Sequence, residues 1–154
     1  MVKEYWYDEK NIERVMIEWF ESQGFGIDRE TYKRGGIDIK AIKREIVYLV
    51  EVKGYPRPKK NNNSRNAQKR NWFTYAVGQI CTRMERENDW NINYALAFPD
   101  FKYYETKALK IKNARKRLGL EIFLVSEFGR LRKLAPDSNR FENLDTFFYQ
   151  ERLF

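Results

Sequence analysis

The sequence predicts an α/β fold in a single domain, with one central mixed β-sheet flanked by helices in α-β-β-β-α-β order. Three observations predict it. Apolar residues recur at helical spacing near the N-terminus and again over residues 66–87. Glycine-bounded, β-favouring runs lie between those stretches, the clearest being IVYLV at 46–50. The chain of 154 residues, 42% of them hydrophobic, has the size and content of one domain able to bury its own core. Residues 1–154 are read as one unit, with a core over about 8–126 and a C-terminal extension over about 127–154.

The first helix is expected over about 8–23. Ile12, Val15, Met16, Trp19 and Phe20 form its apolar stripe, Asp8 is the N-cap and Gly24 the stop. Three strands follow, over about 26–32, 37–43 and 46–53. The link at Arg44-Glu45 is short enough to make the last two a hairpin. Residues 57–66, RPKKNNNSRN, read as an exposed, mobile loop. A long helix then covers about 66–87, with Phe73, Ala76, Val77, Ile80 and Met84 buried. Gly78 in its middle suggests close packing, because glycine costs about 1 kcal/mol there against alanine. A strand at 93–98, a helix at 103–118 stopped by Gly119, a strand at 120–126 and a short polar strand at 130–134 complete the order. Phe141, Phe147, Phe148 and Tyr149 in the tail are available to pack back.

Composition narrows the chemistry. There is no histidine, which removes Ser-His and Cys-His catalysis, histidine general bases and most zinc sites. A single cysteine, Cys81, allows no internal disulfide and reads as a small buried helix residue. A formal net charge of +8 favours a polyanionic partner, with nucleic acid ahead of membrane because no basic amphipathic helix stands out. No apolar run is long enough to span a bilayer and the N-terminus lacks a signal-peptide pattern, so a cytoplasmic protein is expected.

The pattern that carries chemistry is Asp38, twelve residues, then Glu51-Val52-Lys53. Alternation along a strand sends Glu51 and Lys53 to one face, about 7 Å apart. Asp38 interrupts Ile37 and Ile39 on the neighbouring strand, so pairing would bring it to Glu51. Two carboxylates in a half-dry site repel unless a cation joins them, and Mg²⁺ commonly takes one or two carboxylates with water and phosphate oxygens. The plainer alternative is a solvated sheet face on which Glu51 pairs with Lys53.

GID at 36–38 followed by VEVKG at 50–54 resembles the PD-(D/E)XK nuclease superfamily, with its restriction-endonuclease-like fold. The resemblance covers about residues 8–126. It implies a metal-dependent endodeoxyribonuclease acting in restriction, repair, recombination or mobile-element processing. Asp38, Glu51 and the Val52 carbonyl would hold Mg²⁺, with Mn²⁺ as a substitute, and Lys53 would orient or help deprotonate the attacking water. Relatives such as archaeal Holliday-junction resolvases carry a metal-site glutamate on the first helix, about a dozen residues before a glycine. Glu13, eleven residues before Gly24, fits that place and borders the apolar stripe, at about 100° from Ile12. Glu9, one turn earlier, is its rival. YAVGQI at 75–80 is similar to the glutamine-bearing helix of several branches, which makes Gln79 a partner for Lys53 or phosphate.

Phosphate gripping is expected from the basic run after Lys53, comprising Arg57, Lys59, Lys60, Arg65, Lys69 and Arg70, and from Arg83 on the long helix. A second basic row, Lys107, Lys110, Lys112, Arg115, Lys116 and Arg117, reads as a solvated face. DNA is the expected partner, with a homodimer or partner subunits left open. The alternative function is a catalytically silent nucleic-acid-binding or assembly subunit of the same fold.

Overall fold

The computed structural model describes residues 5–29, 37–58, 62–86 and 91–144. The order of elements is α1 (Glu9–Ser22), β1 (Gly26–Ile27), β2 (Ile39–Lys43), β3 (Ile46–Val52), α2 (Asn62–Arg86), β4 (Ile92–Pro99), α3 (Lys102–Lys110), α4 (Lys112–Leu118), β5 (Leu120–Val125), β6 (Leu131–Leu134) and β7 (Glu142–Asn143). The strands form one mixed sheet whose spatial order follows the chain, β1 to β7. β3, β4 and β5 run parallel to one another, and the remaining neighbours pair antiparallel. Two parallel links need long crossovers, and α2 and the α3–α4 pair supply them.

Alternation along the central strands divides the core between the two faces. Leu49, Leu96, Phe98 and Ile122 pack with Phe73, Ala76 and Ile80 of α2 and with Tyr104 and Ala108 of α3. Val50, Val52, Ala95, Ala97 and Phe123 pack with Ile12, Met16 and Phe20 of α1. β4 alternates large residues toward α2 with alanines toward α1, and the alanines leave room for Met16 and Phe20. β5 is buried along its whole length, as a strand covered on both faces must be.

The hairpin lies where expected, in the register Ile39↔Val50 to Lys43↔Ile46, with Arg44 at φ 56° in the turn. Several expectations need correction. The stretch 57–66 is only partly loop: Pro58 is the last helix breaker, and α2 begins at Asn62. The 103–118 helix breaks at Ile111, whose φ −98°, ψ 35° leaves helical geometry. Gly78 has no neighbour within 4 Å of where a Cβ would stand, so close packing does not explain it. Cys81 is half-buried rather than buried. Asp8 occupies the N-cap position of α1 without a side-chain cap bond, because its carboxylate instead pairs with Arg57.

Arg115 departs furthest from the expected solvated face. It is fully buried, donating to the carbonyls of Ala108, Ala135, Pro136 and Ser138 at 2.7–3.1 Å. Its forked donors are matched by backbone acceptors alone, and burial lowers its pKa. Residues 131–144 are integral to the fold: Leu131 and Leu134 of β6 are buried, and Phe141 and Leu144 pack onto the two core faces. Phe147, Phe148 and Tyr149 lie outside the described residues. Among the described residues, no helix is long and apolar enough to cross a membrane.

Candidate functional site

The site forms where β2 begins and β3 ends. One step beyond the Ile39↔Val50 pair, Asp38 stands opposite Glu51. The Val52 N–H donates to Asp38 Oδ2 at 2.7 Å, which fixes that carboxylate against β3. Leu49 faces α2, whereas Val50 and Val52 face α1, so alternation sends Glu51 to the α2 side. The Glu51 side chain is buried, only 3% exposed. Burial pushes its pKa well above the usual carboxylate range. The Asp38 charge and a hydrogen bond shared with Asp38 push the same way, against the opposing influence of Arg83 and Lys53.

Lys53 follows the end of β3, and its N–H still donates to the Ala97 carbonyl at 3.0 Å. Beyond the strand its side chain reaches elements on both sides of the sheet. Lys53 Nζ lies 3.6 Å from Glu9 of α1 and 4.7 Å from the ring centre of Tyr75 on α2. Glu9 also senses Asp38: burial first, then the Asp38 charge, raises its pKa despite Lys53. Asp38, Glu51 and Lys53 therefore belong to one electrostatic cluster, joined by Glu9 and Arg83.

The two glutamates of α1 divide. Glu9, at the helix tip, meets Lys53 round the end of the sheet, while Glu13 is buried one turn further on, 8% exposed. The packed residues of α1 lie on the face opposite to that of Glu51. Among the described residues, no three of His, Cys, Asp and Glu converge into a metal-binding group, so neither glutamate completes a trio with Asp38 and Glu51. The pair itself suits a divalent cation. A buried carboxyl driven to hold its proton by an adjacent carboxylate is the donor set that such a cation satisfies when it replaces the proton.

Tyr75, Gln79 and Arg83 are spaced four residues apart on α2, so Gln79 lies on the row between the lysine's aromatic partner and the arginine that Glu51 senses. Gln79 is half-buried, and its side chain makes no hydrogen bond among the described residues. Tyr75 was not anticipated. Its only sequence signal is its place one turn before Gln79, on a side of the helix that the core does not use.

Gly54 closes the VEVKG motif for a reason of packing. A Cβ there would lie 2.6 Å from the Tyr7 carbonyl oxygen and 2.7 Å from the Glu9 nitrogen, both backbone. The Tyr55 N–H donates to Tyr7 O at 3.0 Å and the Tyr104 hydroxyl donates to Gly54 O at 2.6 Å. This close approach seats the α1 tip, and with it Glu9, beside Lys53.

The expected basic arm is tied down in part. Arg57 pairs with Asp8 and lies 4.1 Å from the Tyr5 ring centre. Arg65 donates to the Pro56 carbonyl at 2.9 Å and covers Tyr55. Lys69 lies over Tyr103, and Arg70 acts on the same phenol. Lys69 and Arg70 are on α2, and so is Arg65, which falls in the stretch 57–66 expected as loop. Lys59 and Lys60 lie outside the described residues.

A cleft of about 510 Å³ opens beside Lys53, lined also by Asp8, Glu9, Arg57, Gln68 and Trp72 together with residues 54–56. No protein-family model, curated protein or solved structure matches the chain.

Proposed function

We propose that this chain is a Mg²⁺-dependent endonuclease that hydrolyses phosphodiester bonds in DNA, within the PD-(D/E)XK superfamily. The observation that carries the reading is the buried Asp38–Glu51 pair with Lys53 beside it at the end of β3. The order α1-β1-β2-β3-α2-β4 supports the restriction-endonuclease-like assignment, as does a sheet that passes from an antiparallel hairpin to parallel strands.

Asp38 and Glu51, with the Val52 carbonyl, would hold Mg²⁺, or Mn²⁺ in its place. A bound divalent cation supplies Lewis-acid polarisation of the phosphate and a lowered pKa for its water. The chain's own residues do the rest. The Val52 N–H holds the Asp38 carboxylate in place, within hydrogen-bonding reach of Glu51. Lys53 presents its ammonium at the cleft wall, where it donates to a non-bridging phosphate oxygen and orients the attacking water. Glu9 and Tyr75 brace that ammonium from opposite helices. Arg83 adds positive charge from α2 near Glu51, and Gln79 offers an amide between them.

The test is nicking of supercoiled plasmid. Wild type is expected to nick with Mg²⁺ or Mn²⁺ and to stop in EDTA, while Asp38→Ala and Lys53→Ala each lose at least about a hundredfold in rate, the scale of removing a charge-stabilising group. The alternative is a DNA-binding or assembly subunit that does not cut. The convergence of two carboxylates rather than three among the described residues favours it. DNA binding that survives Asp38→Ala, with no cleavage by either protein, would establish that alternative.

A further inference from the structure

The cleft beside Lys53 has a lining that phosphate alone does not explain. Its volume of about 510 Å³ falls within the range of sites for small ligands, and a double helix cannot enter it. Its charges are mixed. Lys53 and Arg57 line it together with Glu9 and Asp8, their ion-pair partners, so the cleft offers a phosphate no surplus of positive charge. Trp72 of α2 adds a flat indole and Gln68, one turn earlier on that helix, adds an amide with both donors and an acceptor. An aromatic face beside an amide that both donates and accepts is the set that recognises a nucleobase by its face and its edge.

We infer that this cleft receives one unpaired nucleobase, stacked on Trp72 with Gln68 at its edge, while the adjoining phosphate stays outside at Lys53. The identity of the polymer rests on the nuclease reading above. The consequence is a substrate class: DNA with an unpaired nucleotide beside the phosphate at Lys53, as at a flap, a bulge or a single strand. A fully paired duplex would have to extrude a base first, at the cost of its stacking and pairing.

Equilibrium binding in EDTA tests the cleft without requiring cleavage. The probes are three fluorescein-labelled DNAs of equal length: a paired duplex, the same duplex with one unpaired 2-aminopurine, and the single strand. The wild-type protein is expected to bind the unpaired-base DNA more tightly than the paired duplex, by about five- to a hundredfold, the range of one base–aromatic stack. It should also quench the unpaired 2-aminopurine. Trp72→Ala should reduce the preference to within about twofold and abolish the quench without weakening duplex binding, and Trp72→Phe should keep most of both. Gln68→Ala, on the helix surface, should lower the preference with the fold intact by circular dichroism. Equal wild-type affinity for paired and unpaired DNA overturns the proposal, even if the protein nicks plasmid with Mg²⁺. So does quenching unchanged in Trp72→Ala. A preference that depends on Trp72 in a protein that never cuts keeps the cleft and overturns the nuclease.

Discussion

At the scale of single residues, the site depends on two features with opposite chemistry. Glu51 is a buried acid that favours its protonated form, through burial and the adjacent Asp38. Its folded pKa lies above its unfolded value, so the native state binds the proton more tightly. The stability this contributes is fully present below the ordinary carboxylate range and is lost as pH rises through the raised value. The metal-free protein is therefore expected to lose melting temperature as pH climbs from the acid side through neutrality. Glu51→Gln should flatten that fall, and millimolar Mg²⁺ should offset it in wild type but not in the variant; a pH series of thermal melts reads all three. Gly54 is the second feature. Gly54→Ala forces backbone apart at Tyr7 and Glu9, so a loss of about 2 kcal/mol or more is expected from overpacking. On the proposed nuclease activity, its plasmid-nicking rate should fall further than its melt explains, because Glu9 moves away from Lys53.

At the scale of elements, α2 and α4 carry the informative differences from the sequence reading. The apolar period of α2 was legible, but its start was not, because Asn61-Asn62-Asn63-Ser64 has loop composition and no apolar residue to register. Gly78 faces open space on this helix, so Gly78→Ala is expected to stabilise by about 0.5–1 kcal/mol. That corresponds to a rise of roughly 1–4 °C in melting temperature for a chain of this size. Arg115 on α4 belongs to a basic row that gave no sign of its burial. Charge pattern identifies solvated faces by default, and only the loop carbonyls of Ala135, Pro136 and Ser138 make an interior place for a guanidinium. Arg115→Met would leave those acceptors unpaired in the interior and should cost about 3 kcal/mol, read by urea unfolding. Arg115→Lys should recover little, since an ammonium cannot span four carbonyls.

At the scale of the whole molecule, the sheet is continuous from β1 to β7, and β6 and β7 close one flank of it. β6 covers the outer edge of β5, a strand buried along its whole length. Ending the chain at Ser126 should therefore expose an apolar edge, abolish the cooperative melt and lead to aggregation, seen by calorimetry and light scattering. The hairpin and the placement of Asp38 opposite Glu51 were readable, because strand alternation and turn chemistry are local rules, whereas the parallel pairing of β3, β4 and β5 was not. Tyr75 as the second brace of Lys53 was not readable, nor was the cleft with Trp72, since both depend on how α2 crosses the sheet.

By itself the sequence determined the alternation of helices and strands, the exclusion of histidine chemistry, and an acid pair with a lysine at a strand end. Each follows from periodicity or composition, which act over a few residues. Tertiary structure alone decided which glutamate of α1 meets Lys53, that Arg115 goes inside, and that a cleft opens where α1, β3 and α2 meet. Those outcomes turn on contacts between segments far apart in the chain, where packing and the satisfaction of buried polar groups override local preference.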